Sequence, residues 1–507
     1  MKPNIIFILS DQHNAKVLGH KKHPDVKTPN LDRLAAEGVR FDNAITQNPI
    51  CTPSRTCFLS GQYAHNHGIY MLSGPQPNNL PNMLGTFRKA GYQTAAIGKI
   101  HCPEYWVEDQ SDTFIETAPG CSINGAPEYL AHIRKQGLVE EHKISESRGG
   151  PFGQSLDGYQ SPLPYRDTPE GYIVTKSIEF MNEAQEKGKP FIAHVSFPRP
   201  HQTYAPTEEF WNLYDENELT MPPNWQYERN HKAPNLKSTV KTQIEMAEKW
   251  TLSEPHTYEA GCRRKMRGYL GCISMMDHAV GEIMEYLKEK GIDDNTIIVY
   301  SSDHGDYACE HGLIEKAPGI CSDAITRIPF IWRVPGVTKA GLVADELVET
   351  VDVYPTICSL AGLEHPQTSD GKDITPLLKG EKQELHKVAV TEFAWSKSIR
   401  KGSWRYVYYP REMYADEYPE GFGELYNLED DPWEMNNLYF DENQKGKLAE
   451  LERDLMDWLV TTTRIVGANS SVKPSGDQAV TRFKVTTNVD GKVGYDYIKN
   501  TPNKNYL

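Results

Sequence analysis

Positions 4 to 10 run Asn-Ile-Ile-Phe-Ile-Leu-Ser and end at Asp11. Apolar residues without polar alternation predict a strand buried on both faces, with an acid at its carboxyl end, where polar residues line a site. Thr28-Pro29-Asn30 then predicts a helix start, with Thr28 as N-cap and Pro29 in the first turn. Leu31, Leu34 and Ala35 supply its apolar face and Gly38 ends it. The same grammar recurs. A helix over 80–90 leads through Gly91 into a strand over Thr94 to Gly98, and a helix near 170–187 leads into a strand from Phe191 to Phe197. Over 261–290, Tyr269, Ile273, Met276, Val280, Ile283 and Leu287 keep helical spacing, and the run Ile297-Ile298-Val299-Tyr300 beyond them leads to Asp303.

Helices alternating with buried strands predict an α/β fold: a large, mostly parallel sheet with helices on both faces and functional residues at strand carboxyl ends. The texture changes after about residue 375. Val388 to Phe393, Ser398 to Tyr409 and Glu424 to Leu428 read as short antiparallel strands followed by a helix near 443–462. The expected organisation is a catalytic domain over 1–375, a smaller α+β subdomain with an antiparallel sheet over 376–464, and an extension over 465–507. That extension is polar and without apolar period, lying over the surface or onto a neighbouring subunit of a homo-oligomer. Residues 105–165 and 202–260 are longer than plain connections and are expected to shape a substrate pocket. No internal repeat is visible.

Composition narrows the class. The 507 residues are 38% apolar and 24% charged with net charge −15, an ordinary soluble globular balance. An acidic surface without a basic run excludes a phosphate-backbone partner, so nucleic acid is not expected, and any anionic substrate must be drawn by a local cationic cluster. No stretch approaches the roughly 20 apolar residues of a membrane helix. The five apolar residues before Asp11 are too few for a signal core, which predicts a cytoplasmic protein, or a periplasmic or secreted one whose leader has been removed. Nine cysteines at 51, 57, 102, 121, 262, 272, 309, 321 and 358 show no paired framework, so most are expected as buried thiols, with Cys51 the exception.

Cys51-Thr52-Pro53-Ser54-Arg55, followed by Leu59-Ser60-Gly61-Gln62, is the sharpest motif. Pro53 suits a first helical turn, which puts Cys51 at a helix N-terminus, where free amides and the dipole favour an anion. A cysteine before a proline is otherwise just a small buried residue. With Arg55 and the continuation, the stretch resembles the signature of the formylglycine-dependent sulfatase family of the alkaline phosphatase superfamily. The resemblance extends to Glu424-Leu425-Tyr426-Asn427-Leu428-Glu429-Asp430-Asp431-Pro432 and Asn436-Asn437-Leu438. It implies that Cys51 is oxidised to formylglycine by a maturation enzyme.

Asp11-Gln12 and Asp303-His304-Gly305-Asp306 place acids at the ends of two buried strands. Either acid alone can merely cap a helix; together they are oxygen ligands for a hard cation. In the family the matching positions bind calcium, assisted by the formylglycine oxygen, so the resemblance implies a site of Asp11, Gln12, Cys51, Asp303 and His304. Gln12 stands where a second Asp is usual and His304 where Asn is usual. That variant resembles choline sulfatases and phosphonate monoester hydrolases, and a nitrogen ligand suits manganese or zinc as well.

Lys99 and His101, Pro200-His201, and Lys316 complete a cationic group. A single Lys or His in a loop is usually solvated. By resemblance, however, Lys99 and His101 hold the formylglycine hydroxyls, while His201 and Lys316 contact sulfate and the leaving oxygen. His65, His67 and His311 receive no role, Asp306 is read as orienting the metal loop, and Cys57 as core. The expected activity is therefore hydrolysis of sulfate monoesters. A sulfated carbohydrate is the first substrate choice, because Glu104-Tyr105-Trp106 and Glu209-Phe210-Trp211 can stack on a sugar ring. The alternatives are a phosphonate monoester or phosphodiester hydrolase on the same fold, or a sulfated-glycan binding protein with an unconverted Cys51.

Overall fold

The computed structural model describes residues 2–72, 80–103, 105–118, 125–146, 158–226, 257–313, 315–316 and 321–465, with three short strands beyond them at 481–482, 485–487 and 493–495. Eight strands form one sheet: β1 (Asn4–Asp11), β2 (Val39–Ile45), β3 (Gln93–Gly98), β4 (Thr113–Glu116), β5 (Phe191–Pro200), β6 (Thr296–Ser302), β7 (Phe330–Arg333) and β8 (Leu342–Glu349), in the order β4-β3-β5-β1-β6-β7-β2-β8. Seven of them run in one direction, and β7 lies antiparallel to both neighbours.

The helices of seven or more residues among the described residues are α1 (Pro29–Glu37), α2 (Cys51–Ser60), α3 (Met83–Lys89), α4 (Pro127–Gln136), α5 (Val139–Glu146), α6 (Pro169–Glu186), α7 (Tyr258–Glu289), α8 (Val353–Leu360) and α9 (Lys445–Thr462). The sheet is buried on both faces by them. Ile5, Phe7 and Leu9 of β1 join one apolar cluster with Phe58 and Leu59 of α2. Ile6 and Ile8 join the opposite one with Leu31 of α1 and Met276 and Val280 of α7. That alternation explains why the strand shows no polar period. Each such side chain, fully buried, contributes about 1.5–3 kcal/mol.

A second sheet, antiparallel, orders β12-β11-β10-β9 from β9 (Ala389–Glu392), β10 (Lys397–Lys401), β11 (Trp404–Tyr408) and β12 (Gly423–Asn427). The large mixed sheet with helices and the smaller antiparallel sheet agree with the fold class expected from the pattern. No helix among the described residues is long and apolar enough to cross a membrane. The eight described cysteines are free thiols, and Cys121 lies outside the described residues.

Several details differ from expectation. Thr28 does not cap α1: its hydroxyl is engaged with Asp32 and the Gly19 amide, and Asp277 of α7 accepts from the Leu31 amide at 2.7 Å and the Asn30 amide at 3.2 Å instead. A tertiary carboxylate thus replaces the local cap. Gly38 ends α1 in extended rather than left-handed conformation, and it is glycine for a different reason: a Cβ there would come within 2.2 Å of the Trp332 carbonyl. Ser398–Tyr409 is two strands, split at Gly402, whose φ of 55° makes a tight hairpin possible. Segment 105–165 contains β4, α4 and α5 rather than plain loop. In 465–507, Ile465 and 481–482 form one short strand pair with Arg464, and 485–487 pairs with 493–495; the remainder, like 227–256 within 202–260, lies outside the described residues.

Candidate active site

Strands β3, β5, β1 and β6 are adjacent and parallel, so their carboxyl ends meet on one edge. Lys99 follows β3, His201 follows β5, Asp11 ends β1, and Asp303 and His304 follow β6. Ligand sites of open parallel sheets form at this edge. Helix α2 points its N-terminus there. Asn48 prepares that start by accepting from the Ile50 amide and donating to the Glu392 carbonyl, while the hydroxyls of Thr46 and Ser54 both donate to the Asp303 carbonyl, at 2.7 and 2.6 Å. Cys51 is the first residue of the helix and is buried.

Arg55, one turn later, organises the floor. Its Nη2 donates to Asp11 Oδ2 at 2.8 Å, its Nε to Asp303 Oδ2 at 2.9 Å, and its Nη1 to Ser196 Oγ at 2.8 Å and to the Lys99 carbonyl. Both acid partners and the guanidinium are fully buried, and Lys99 Nζ adds a 2.6 Å contact to Asp11. Burial alone would raise the Asp11 pKa, but Lys99, then His201 and Arg55, hold it well below the usual carboxylate range. Asp303 moves the other way, raised by burial and by the charge of Asp11.

Asp11, Asp303 and His304 offer ligand atoms that lie, with Cys51 Sγ, all within 4.8 Å of one another. The His304 ring is fixed by a 2.9 Å bond from Nδ1 to the Gly305 carbonyl, which leaves Nε2 to face Cys51 Sγ at 3.2 Å. Lys316 Nζ stands 3.0 Å from that sulfur, 3.0 Å from His304 Nε2 and 3.2 Å from Gln12 Oε1. Burial and Asp11 oppose ionisation of the Cys51 thiol, yet Lys316, Lys99 and His304 hold its pKa well below the ordinary value. Gln12 is oriented from behind: its Nε2 donates to Asp306 Oδ2 at 2.6 Å. Asp306 in turn accepts from Lys265 Nζ at 2.6 Å, from Tyr204 Oη at 3.2 Å and from the Ala308 amide.

The two histidines flank this group. Burial, with Lys99 and Arg55, lowers the His101 pKa against the opposing pull of the neighbouring Cys51. The backbone amide of His201 donates to the Asp11 carbonyl at 3.0 Å and its Nδ1 to the Gln202 carbonyl at 2.7 Å, so Nε2 is the nitrogen left to meet a ligand. Burial, then Lys99, pushes the His201 pKa well down. The structure thus gathers all ten predicted residues on one edge: Asp11, Gln12, Cys51, Arg55, Lys99, His101, His201, Asp303, His304 and Lys316.

Sequence reasoning missed Ser196, Lys265, Tyr204, Arg199 and Glu116. Glu116, at the end of β4, accepts from the Ile100 amide and so ties down the turn between Lys99 and His101; burial pushes its pKa up to about 7. Lys265 carried a signal, a lysine four residues before Tyr269 on the apolar face of α7. His65 pairs with Glu392, His67 with Cys57, and His311 with Asn224. Trp106, Phe210 and Trp211 are buried, Trp106 donating to the Leu80 carbonyl and Trp211 stacking under Arg264 and Arg267. Three of the four aromatics expected to stack on substrate are therefore packing residues, leaving Tyr105 exposed; Glu104 lies outside the described residues.

A model of the sulfatase family matches residues 3–363. The chain belongs to the sulfatase family. A second model, described as N-sulphoglucosamine sulphohydrolase, C-terminal, matches 309–460. An arylsulfatase of Clostridium perfringens is 28% identical over 90% of this chain and 94% of its own length. A choline-sulfatase of Rhizobium meliloti is 29% identical over 89% and 84%, and an N-acetylglucosamine-6-O-sulfatase of Bacteroides thetaiotaomicron is 27% identical over 91% and 86%. Two solved structures share the fold at 22% identity. One, in complex with its substrate D-glucosamine-2-N,6-O-disulfate, has a TM-score of 0.72 and matches 90% of this chain and 98% of its own. The phosphonate monoester hydrolase of Agrobacterium radiobacter has a TM-score of 0.74 over 91% and 96%. Like the other members, this chain is a sulfatase enzyme, and its buried Asp11, Cys51, Asp303 and His304 cluster could hold the metal ion that sulfatases generally use.

Proposed function

We propose that this enzyme hydrolyses sulfate monoesters of a carbohydrate, using a formylglycine made from Cys51 and one divalent cation. The observation that supports this most is the setting of Cys51: a helix N-terminus whose sulfur lies 3.0 Å from Lys316 Nζ and 3.2 Å from His304 Nε2, with Arg55 one turn behind. The donor set fits a cation of calcium, manganese or zinc type, with two carboxylates, an imidazole nitrogen and the Gln12 amide oxygen, and the Lys316 ammonium already stands among those atoms as a positive charge. Bound there, the ion would polarise a sulfate oxygen and the nucleophile, and the aldehyde hydrate would supply the attacking hydroxyl and a second one for release of sulfate.

The remaining work falls to the chain's own side chains. Arg55 and Lys99 hold Asp11 in place and ionised. Asp303, with its raised pKa, accepts the proton of the attacking hydroxyl. His201 Nε2 donates a proton to the leaving oxygen, assisted by Lys316. Burial keeps this ring neutral in the free enzyme, and the negative charge of a bound sulfate ester restores its affinity for the proton. His101, beside Cys51, takes the proton whose loss releases sulfate. The relative named N-acetylglucosamine-6-O-sulfatase and the structure with a sulfated glucosamine favour a sugar ester. Gln12 and His304, together with the phosphonate monoester hydrolase neighbour, favour a second reading, a phosphonate monoester hydrolase.

Intact mass tests the modification: conversion of Cys51 lowers it by about 18 Da. Cys51→Ala should abolish turnover without lowering the melting temperature. Sulfated monosaccharides, an aryl sulfate and a phosphonate monoester assayed side by side test the substrate; faster turnover of the phosphonate would replace this reading by the second.

A further inference from the structure

His201 sits on a short segment held at both ends by one helix. Two residues before it, Arg199 is buried, and its Nη2 donates to Glu146 Oε1 at 2.7 Å. Two residues after it, the Thr203 hydroxyl donates to the Ser145 carbonyl at 2.6 Å. Ser145 and Glu146 are the last two residues of α5. Arg199 Nη2 also reaches Thr203 Oγ1, at 3.5 Å, which closes the loop on itself. On the inner side Arg199 Nη1 faces Glu170 of α6 at 3.9 Å, a fully buried carboxylate whose two oxygens have no hydrogen-bond partner among the described residues. The strand-like segment after α5 repeats the attachment: the Tyr159 amide donates to the Tyr204 carbonyl at 3.1 Å, the Ser161 amide to the Pro206 carbonyl at 2.8 Å, and the Ser145 and Ser161 hydroxyls bond each other at 2.8 Å.

We propose that Arg199 and Thr203 are positioning residues for His201, and that the end of α5, through Glu146 and Ser145, sets how far the imidazole reaches toward the leaving oxygen. The inference rests on the reading of His201 as proton donor to that oxygen. Its physical basis is the geometry of proton transfer. A donor must stand within about 2.6–3.2 Å of the atom it protonates, and a 1 Å displacement from a remote change can cost about 10²-fold. Among the described residues the His201 ring has one bond of its own to fix it, from Nδ1 to the adjacent Gln202 carbonyl. That bond moves with the loop. The backbone is tied to the sheet at Pro200, opposite Asp11, and by the His201 amide on the Asp11 carbonyl; the lie of the loop around the ring is fixed further by the side chains on either side of His201, and both are anchored on α5. Glu146 is the accessible member of the set, its side chain 28% exposed, while Arg199 carries a charge buried between Glu146 and Glu170.

The test is a leaving-group series. Thr203→Val, Glu146→Gln and Arg199→Met are compared with wild type and His201→Ala on a nitrophenyl sulfate, an unsubstituted phenyl sulfate and a sugar sulfate. Positioning of an acid predicts that the variants lose about 10–100-fold in kcat on the sugar ester and less than about 3-fold on the nitrophenyl ester, which leaves without a proton. Thr203→Ser, which keeps the hydroxyl, should restore the wild-type dependence. Thr203→Val alone decides the matter if Arg199→Met does not fold. A loss equal on all three esters, or none, overturns the inference while a steep His201→Ala profile leaves the His201 assignment standing. A flat His201→Ala profile removes that assignment, and the inference with it.

Discussion

Lys265→Met takes the cation out of an ion pair that has no solvent on either side. Lys265 Nζ lies 2.6 Å from Asp306 Oδ1, and both side chains are fully buried. The ammonium also lies over the rings of Tyr204 and Tyr269, at 4.9 and 4.6 Å. Methionine keeps most of the volume, so the cost is electrostatic rather than a cavity. Removing one partner of a buried pair costs about 3–5 kcal/mol, because the other charge stays behind. Asp306 retains donors in Gln12 Nε2, Tyr204 Oη and the Ala308 amide, which places the loss near the lower end, about 3 kcal/mol. At roughly 2–4 °C per kcal/mol, the melting temperature falls by about 6–12 °C. Calorimetric melting measures it. Because Asp306, the partner of Gln12, is held less firmly without Lys265, kcat/KM falls as well. Adding Asp306→Asn removes the stranded charge while its amide oxygen still accepts from Gln12, so the double variant recovers at least about 1 kcal/mol of coupling. The reasoning fails if Lys265→Met melts within about 1 °C of wild type, or if the two substitutions simply add.

Exhaustive treatment with a chelator should suppress activity and readdition of a divalent ion restore it, with elemental analysis of the active protein giving about one ion per chain; fully active metal-free protein contradicts the ligand assignment. His386 lies between Asp352, 3.0 Å from its Nε2, and Glu349, 3.5 Å from its Nδ1. Burial and Lys372 oppose its charge, but Asp352 and Glu349 prevail and raise its pKa. A raised folded-state value means that its contribution is complete below the unfolded pKa of about 6.5 and is lost as pH rises through the folded value. His386→Gln should therefore destabilise most at mildly acid pH, by about 1–3 kcal/mol, and the gap to wild type in denaturant melts should close toward alkaline pH. A gap that widens with pH refutes it.

The sheet was legible because its central strands are buried on both faces. β1 and β6 each present an unbroken apolar run, and nothing but a strand in a covered sheet explains runs so short ending in acids. The helix α7 was legible for the complementary reason, its six apolar positions lying on one stripe. The second sheet was read with one strand too few, since Gly402-Ser403 is a weak turn signal between two stretches that both look extended. Nor could the pattern show that Asp277 caps α1, because it is 247 and 246 positions from Asn30 and Leu31 in the chain and the packing of α7 on α1 joins them.

The site divides along the same line. Cys51, Arg55, Asp11 and Asp303 stood out because each sits in a local frame, a helix start or a strand end, that fixes where its side chain must go. Lys265 and Arg199 did not stand out in this way, and Asp306 was legible only as part of the loop after Asp303. They matter through pairings between distant segments, 265 with 306 and 199 with 146, that exist once the sheet has brought α5, α7 and the loops after β5 and β6 together. Buried charge needs a partner before the fold can close, so each of these pairs also constrains the fold that positions the reactive residues. Asp306 was read as orienting the metal loop, but its partner was not; the lysine on the apolar face of α7 was the signal for it, since a charge placed where the stripe demands a hydrophobe announces a buried counter-charge, and Asp306, behind Gln12, is that counter-charge.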